Sequence, residues 1–184
     1  MRLNGRVALI TGAAGSQGRS HAMRLAEEGA DIIAVDICRQ IDLVPYPMAA
    51  EDDLAETAES VKSLGRRVVT AVADVRDGAG LQAAVDQGVS EFGRLDIVSA
   101  NAAVTSVQKY SDVTPEIWNT TLDVNLTGVW NTCAAAIPHL IATGGGSITI
   151  TPVDVSNALL CLSSDDARHV TGTGLMVDAG STIR

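Results

Sequence analysis

The chain has 184 residues, enough for one domain with a buried core, and its 46% content of hydrophobic residues argues against disorder. Its formal net charge of −9, with no cluster of Lys and Arg, argues against nucleic acid or an anionic membrane as a partner and favours a small ligand. Only four apolar residues separate Arg6 from Thr11, and no apolar run approaches a membrane span, so we expect one cytoplasmic domain over residues 1–184.

The cysteines and histidines predict reduced thiols and no bound metal. Cys38, Cys133 and Cys161 are odd in number and lack C-x-x-C spacing, which is typical of free thiols that pack as small hydrophobic side chains. The three histidines are equally scattered, whereas zinc ligands usually come in close pairs.

The first predicted unit is a strand, a glycine turn and a helix. Val7–Ile10 is an apolar run too short for a helix, so it predicts a buried parallel strand. Gly12, Gly15 and Gly18 then allow the backbone to reverse and to begin a helix. Because the free N–H groups at a helix start favour an anion, this turn predicts an anion site.

A carboxylate follows the second strand. The first helix is predicted over Ser20–Gly29, and the second strand, Asp31–Val35, brings Asp36 to the same edge of the sheet as the glycine turn. There it can accept hydrogen bonds from both hydroxyls of an adenosine ribose, which predicts a dinucleotide site. The charge of Asp36 would repel a ribose 2′-phosphate and so favours NAD over NADP, unless Arg39 neutralises it instead of being solvated.

An unusually long connection follows, from Cys38 to Ala50, with two prolines around Tyr46. Connections in such folds commonly have about two to six residues. The segment is therefore long enough to cover the adenosine, and a surface insertion without function is the equal alternative.

The next two helices flank a strand that ends in a second carboxylate. The helices are predicted over Glu51–Leu64 and 79–92, and the strand over Arg67–Ala73. Asp74 follows this strand directly and could meet the adenine amino group, or it caps a turn before Gly78.

Small and polar residues end the fourth predicted strand, Leu95–Ala100. Asn101 stands at its end, and Ala102 and Ala103 leave room for a cofactor, a combination that suits a nicotinamide ribose. The alternative is that Asn101 is simply a loop residue, since asparagine is frequent in loops.

A long helix is predicted from Thr114 and Pro115 to residues 139–144, interrupted at Gly128. Asn125 lies inside it, where an amide competes with the backbone, so its side chain is exposed, bonded locally or needed for a polar task.

The remaining predicted elements are a fifth strand over Ser147–Thr151, a helix over Val153–Leu162 and a last strand over Leu175–Val177. Strands that alternate with helices in this way predict an α/β fold. The expected architecture is a doubly wound parallel sheet, the Rossmann fold, with helices on both faces and ligands at the carboxyl ends of the strands.

The motifs taken together resemble those of the short-chain dehydrogenases/reductases. The turn around Gly12 and Gly18 looks like the TGxxxGxG turn of that family, DVNLTGVW carries at Asn125 the asparagine of its catalytic tetrad, and TGTGLMVDAG is similar to its final strand. The resemblance implies that NAD is bound by Gly12, Ser16, Gln17, Gly18, Asp36, Ile37, Cys38, Asp74, Val75, Asn101, Ala102, Ala103 and Thr151.

Within the family, GRSHAMRLAEEGADIIAVDICRQIDLVPYPM looks most like the carveol dehydrogenase-like, mycofactocin-associated branch, which carries the same insertion after strand two. That resemblance implies a secondary alcohol or ketone as substrate, small and apolar, either terpenoid-like or alicyclic. It also implies that the insertion folds over NAD and slows its exchange, so that electrons leave through an external acceptor. The family further implies a homo-oligomer, a tetramer, formed by the long helix and the final strand.

The sequence departs from this family at two places. Ser16 stands where the family has its middle glycine, and its Cβ enters the approach to the pyrophosphate, although its hydroxyl could donate to a phosphate oxygen. At the second place, Thr151 runs into Pro152 where family members continue to a catalytic serine and a Tyr-x-x-x-Lys helix. Neither Tyr46 nor Tyr110 has a lysine four residues on. At least one βαβ crossover of the substrate-side half, on the order of 30 residues or more, is missing at the 151/152 junction.

The missing tyrosine and lysine have a physical task, because a proton must move with the hydride. A tyrosine with a pKa of about 10 needs a nearby cation to ionise near neutral pH. The 184-residue chain is therefore predicted to bind NAD with little or no turnover. The gap has three explanations: a segment that belongs to the protein but is missing from this sequence, which we favour, an internal deletion, or a deliberately shortened protein.

Three classes of function compete. The leading one is an NAD-dependent oxidoreductase, and the second is a non-catalytic NAD-binding or regulatory domain, favoured by the absent serine, tyrosine and lysine. The third, a nucleoside-cofactor methyltransferase, also has an acid after its second strand, but Asn101 and the TGTGLMVDAG ending argue against it.

Overall fold

The computed structural model describes residues 1–106 and 109–150, and in these residues a parallel sheet has helices on both faces. The strands are β1 (Val7–Thr11), β2 (Asp31–Asp36), β3 (Val68–Val72), β4 (Ile97–Ser99) and β5 (Ser147–Thr149). They follow the order β3-β2-β1-β4-β5, and each neighbouring pair is parallel. The predicted α/β class is confirmed, whereas the helix predicted over 153–162 and the strand predicted over 175–177 lie outside the described residues.

The helices run between consecutive strands. They are α1 (Ser16–Glu27), α2 (Glu51–Ser63), α3 (Gly78–Phe92), α4 (Pro115–Leu122) and α5 (Gly128–Ala142), with a short 3₁₀ turn at Tyr110–Asp112. A π turn, Asp123–Thr127, joins α4 to α5. None of the helices in the described part of the chain is long and apolar enough to cross a bilayer.

Strand residues alternate between the two faces of the sheet and build two separate cores. Ala8 and Ile10 of β1 pack with side chains of α1 and α2, whereas Val7 and Leu9 pack with side chains of α3 and α5. The short apolar run that predicted β1 is therefore buried on both sides, as expected for a central parallel strand.

The start of α1 and the interruption of the long helix are the clearest differences from the predicted helices. Helix α1 begins at Ser16 and not at Ser20, because Gly15 is extended (φ −105°, ψ 167°) and takes the N-cap position without a capping side chain. The long helix is interrupted by the π turn just before Gly128. Gly128 itself continues the helix and packs closely on a neighbour, since a Cβ there would lie 2.5 Å from Val75 Cγ2.

The start of α4 agrees with the prediction. Thr114 is its N-cap and accepts a hydrogen bond from the Ile117 N–H at 3.4 Å, and Pro115 occupies the first turn. Helix α3 is capped by Asp77, which accepts from the N–H groups of Ala79 and Gly80.

Ion pairs close the amino edge of the sheet, opposite the predicted ligand edge. The buried Asp96 pairs with Arg6 at 3.0 Å and with Arg94 at 2.5 Å, and Asp31 pairs with Arg67 at 2.7 Å. Burial acts to raise the pKa of Asp96, but hydrogen bonds, led by the one from Arg94, outweigh it and lower that pKa. These carboxylates therefore stay charged and tie the strand starts together.

Candidate dinucleotide site

A cavity of about 460 Å³ lies where the carboxyl ends of β1, β2, β3 and β4 meet. This is the edge at which open parallel sheets bind ligands. Ten of the residues predicted to hold a cofactor line it: Gly12, Gln17, Gly18, Asp36, Ile37, Asp74, Val75, Asn101, Ala102 and Ala103. Of the others, Thr151 lies outside the described residues, and Ser16 is the first residue of α1.

The glycine turn brings α1 against the end of β1 and leaves open space over its first turn. Gly12 has φ +70°, a conformation that favours glycine. A Cβ on Gly18 would lie 1.9 Å from the Gly12 carbonyl oxygen, so this position tolerates no side chain. Gly15 lines the cavity, and a Cβ there would meet no atom within 4 Å. The space over the helix start is therefore available to an anionic group.

The side chains of Arg19 and Thr57, which were not identified from the sequence, stabilise the glycine turn through hydrogen bonds to its backbone. Arg19 donates to the carbonyl oxygens of Ala14 (3.1 Å) and Asp53 (2.9 Å), and the Thr57 hydroxyl donates to the Ala13 carbonyl oxygen at 3.1 Å. The contacts of Arg19 with Asp53 and of Thr57 with Ala13 span 34 and 44 positions of sequence, so no local motif could have revealed them.

The Asp36 carboxylate is buried at the cavity wall and is fixed by two backbone donors. Its Oδ2 accepts from the Ala14 N–H and its Oδ1 from the Cys38 N–H, both at 3.0 Å. Each carboxylate oxygen has a second lone pair, so the group can still accept hydrogen bonds from a ligand.

Cys38, which the family resemblance places among the cofactor-binding residues, is not among the residues that line the cavity. It has φ +50°, and its side chain packs partly buried against the core on the α1 side. Burial, with a further contribution from the charge of Asp36, raises the pKa of the Cys38 thiol to about 11. Cys38 therefore supports the site only through its backbone N–H.

Asp74 fits both of its predicted roles in part. It lines the cavity, and its Oδ1 also accepts from the Arg76 N–H at 3.0 Å, which closes a local turn. The helix cap before Gly78 is a different residue, Asp77.

Asn101 ties the end of β4 to the end of β1. Its Nδ2 donates to the carbonyl oxygens of Thr11 (3.0 Å) and Gly12 (3.3 Å), and the Thr11 hydroxyl accepts from the N–H groups of Asn101 and Ala102. Asn101 Oδ1 is buried and has no hydrogen-bond partner among the described residues. Such an orphaned acceptor in a cavity wall fits a ligand that brings a donor, such as a ribose hydroxyl.

Asn125 lies in the π turn and acts on the cavity through its neighbours. Its Oδ1 accepts from the Val104 N–H at 2.9 Å, and its Nδ2 donates to the Val104 carbonyl oxygen at 2.8 Å. Val104 and Val124 line the cavity, whereas Asn125 itself does not. The sequence left three possibilities for this asparagine: an exposed side chain, a local bond or a polar task. Asn125 is an exposed residue whose amide bonds to the backbone of Val104, 21 positions away, so its hydrogen bonds are not local.

Residues 38–50, here called the strap, contribute one wall of the cavity. The lining side chains are those of Ile41, Tyr46, Pro47, Met48 and Ala49. Gln40 organises the strap internally, because its Nε2 lies within 3.2 Å of the Ile41, Val44 and Tyr46 carbonyl oxygens and its Oε1 accepts from the Met48 N–H. The strap was predicted either to cover the adenosine or to be a surface insertion without function. Its position in the cavity wall favours the covering role.

The far end of the strap reaches the opposite side of the cavity. The Tyr46 hydroxyl accepts a hydrogen bond from the Thr105 N–H at 3.1 Å. Thr105 follows the Asn101 segment, so this bond connects the β2 side of the site to the β4 side. The sequence offered no signal for it beyond the length of the strap.

A glycine turn, an acid after β2 and an orphaned amide oxygen after β4, all at one edge of a parallel sheet, define a dinucleotide-binding Rossmann fold. The profile of the short chain dehydrogenase family matches residues 6–158. The chain belongs to this family, as its motifs predicted.

Several relatives are similar to this chain in sequence and fold. The (-)-trans-carveol dehydrogenase of Rhodococcus erythropolis is 36% identical over 275 aligned positions, which cover 100% of this chain and 99% of that protein. A short-chain type dehydrogenase/reductase of Mycolicibacterium smegmatis is 56% identical over 82% of this chain and 55% of its own length. The crystal structure of Mycobacterium avium carveol dehydrogenase in complex with NAD superposes with a TM-score of 0.94 at 36% identity, covering 100% and 99% of the two chains.

The chain spans about half the length of many of the proteins that it matches. A short-chain dehydrogenase from Mycobacterium paratuberculosis bound to NAD is 52% identical with a TM-score of 0.80, over 82% of this chain and 56% of the other. The alignment with the Rhodococcus erythropolis enzyme spans 275 positions against 184 residues here, so about a third of its positions have no counterpart in this chain.

Proposed function

We propose that the protein is an NAD-dependent oxidoreductase that interconverts a secondary alcohol and a ketone on a small apolar substrate, terpenoid-like or alicyclic, with tightly held NAD. The observation that carries the cofactor is the convergence of the glycine turn, Asp36 and Asn101 on one cavity, together with the buried Asn101 Oδ1 that has no partner among the described residues. When bound, NAD supplies the acceptor or donor of the hydride.

Different residues along the cavity would bind different parts of NAD. The start of α1, with open space over Gly15, would take the pyrophosphate, and Asp36 would accept hydrogen bonds from the adenosine ribose. Asn101 Oδ1 would accept from the nicotinamide ribose, and Ala102 leaves room beside it.

The substrate class and the electron acceptor follow from the relatives and from the strap. Carveol, after which the Rhodococcus erythropolis relative is named, is a terpenoid alcohol, which supports an apolar alcohol here. The strap lines the cavity and bonds across it through Tyr46, which supports slow exchange of NAD. A cofactor that stays bound must be reoxidised in place, so we propose an external electron acceptor, with the protein acting in the cytoplasm.

A second function is favoured by the sequence itself. The chain contains Tyr46, Tyr110, Lys62 and Lys109 but no Tyr-x-x-x-Lys. That pair normally supplies a phenol with a nearby cation, which exchanges a proton with the substrate. We propose that a continuous 184-residue protein binds NAD and is catalytically inactive.

One set of measurements separates these functions. NAD affinity and the oxidation of a panel of secondary alcohols are measured on a protein whose intact mass is that of 184 residues. Binding without turnover supports the inactive NAD-binding protein. Turnover at that mass contradicts the inactivity, and failure to bind NAD contradicts the cofactor assignment.

We also propose that the chain forms a homo-oligomer, a tetramer. Large apolar side chains stay exposed along one face of α4, the π turn and α5: Trp118, Leu122, Leu126, Trp130, Ile137 and Ile141. Most are four residues apart, so they form a stripe on one helical surface, and exposed apolar patches of this kind mark protein interfaces.

A further inference from the structure

Arg39 is three residues from Asp36, yet it does not line the dinucleotide cavity. Cys38, between them, donates its N–H to Asp36 and has φ +50°, so the backbone turns sharply at this point. The Arg39 side chain instead borders a second cavity of about 300 Å³, lined by Arg39, Gln40, Ile41, Asp42, Leu43 and Arg76. Ile41 lines both cavities, so they adjoin.

Asp74 holds Arg39 at this second cavity. Asp74 Oδ2 lies 3.2 Å from Arg39 Nη2 and 2.6 Å from Arg76 Nη2, so one carboxylate is shared by two guanidinium groups. Strand β3 pairs with β2 up to Val72 opposite Asp36, which brings Asp74 to the same edge of the sheet as Asp36.

The Asp74 carboxylate is charged at neutral pH. Burial acts to raise its pKa, but hydrogen bonds, led by the one from the Arg76 side chain, outweigh burial and lower that pKa. An ionised Asp74 therefore attracts Arg39 under the conditions in which a dinucleotide would bind.

A free guanidinium near the adenosine ribose is the usual means of accepting a 2′-phosphate. We infer that Asp74 is a specificity-determining residue, which pairs with Arg39, withholds this guanidinium from a 2′-phosphate and so sharpens the preference for NAD over NADP. The inference rests on the proposed NAD site and adds to the direct repulsion by Asp36.

The expected size of the effect follows from exposure. The Arg39 side chain is 67% exposed, and exposed ion pairs are weak. Releasing Arg39 should therefore raise the affinity for NADP relative to NAD by up to about fivefold, with Asp36 responsible for the larger part of the discrimination.

The test is a double-mutant cycle read out as the ratio of NADP affinity to NAD affinity. Both ligands are titrated by calorimetry into the wild type, Asp74→Asn, Arg39→Gln and the double variant. The amide introduced by Asp74→Asn keeps an oxygen that can accept the Arg76 N–H, and adenine contacts cancel in the ratio. Asp42→Asn, which removes one acid from the wall of the second cavity, is the matched control for net charge.

We expect Asp74→Asn to raise the ratio and Arg39→Gln to abolish that gain, with Asp42→Asn close to the wild type. An equal gain in the Arg39→Gln background, or with Asp42→Asn, would mean a general charge effect and would overturn the inference. Arg39→Gln alone should leave the ratio unchanged, so a clear fall would overturn it even if Asp74→Asn did not fold. A wild type that binds neither ligand would overturn both this inference and the NAD site, whereas the other outcomes leave the NAD site intact.

Discussion

Glycine serves two opposite purposes within one turn of this protein. At Gly18 it allows α1 to touch the backbone of Gly12, whereas at Gly15 it leaves the cavity open, since an added Cβ there would meet no atom within 4 Å. The same substitution at the two positions should therefore separate folding from binding.

Gly18→Ala should destabilise the protein by about 3 kcal/mol or more, since the added Cβ meets backbone that cannot move aside. Gly15→Ala should cost at most about 1 kcal/mol of stability, as for an N-cap change, but lower NAD affinity about tenfold. Chemical denaturation and NAD titration of both variants check this. Equal stability losses, or unchanged NAD affinity in Gly15→Ala, would contradict the assignment.

His21 makes stability depend on pH. It is fully buried, its Nδ1 lies 3.0 Å from the Ser99 hydroxyl, and burial lowers its pKa. In the unfolded chain the pKa of His21 is about 6.5, so below this pH His21 binds a proton in the unfolded chain but stays neutral in the folded chain. Stability therefore falls as pH falls through this range.

The His21 contribution can be isolated by comparing the wild type with His21→Gln. Between pH 7.5 and pH 5, the free energy of unfolding should fall more for the wild type than for His21→Gln. The difference between the two proteins should grow by up to about 1.4 kcal/mol per pH unit. Parallel curves for the two proteins would show that His21 does not titrate on unfolding in this range.

At the scale of elements, the strap lines the cavity and bonds across it. Its internal bonds are made by Gln40, whereas its bond across the cavity is made by Tyr46 to Thr105. The strap can therefore be released at its far end without being unfolded.

Tyr46→Phe keeps the aromatic wall and removes only the hydroxyl that accepts from Thr105. One hydrogen bond contributes about 1 kcal/mol, so NAD dissociation should become about fivefold faster in stopped-flow displacement. Gln40→Met, which removes the internal bonds, should accelerate dissociation at least as much. A dissociation rate unchanged in both variants would exclude a covering role for the strap.

The elements that could be predicted from the sequence are those that depend on interactions between residues close together in the chain. The strand over Val7–Ile10, observed as Val7–Thr11, and the helix start at Thr114 could be predicted because apolar runs and capping residues act within a few positions. The start of α1 was misplaced because Gly15 caps it without a side chain. The contacts of Arg19 and Tyr46 were missed because each joins segments that are distant in sequence.

At the scale of the whole molecule, the apolar stripe on α4, the π turn and α5 is the surface through which we propose that copies of the chain associate. Trp130 is 69% exposed and Ile141 72%, which is unfavourable in water for an isolated chain. Burial of such side chains should stabilise the proposed oligomer.

Trp130→Asp should shift the protein toward monomer in sedimentation velocity, because a desolvated charge opposes burial of the stripe. Val72→Asp is the matched control, since Val72 is 56% exposed on the edge strand β3, away from the stripe. Dissociation by both variants, or by neither, would contradict an interface at the stripe.

The two edges of the sheet are held together by different forces. Charged pairs such as Asp96 with Arg94 fasten the amino edge, whereas at the carboxyl edge glycines, an asparagine amide and the strap act beside the ion pair of Asp74 with Arg76. Side-chain substitutions at the ligand edge therefore leave the ion pairs of the amino edge intact. Substitutions at the ligand edge that do not meet backbone, unlike Gly18→Ala, can therefore change ligand binding in evolution while the fold persists.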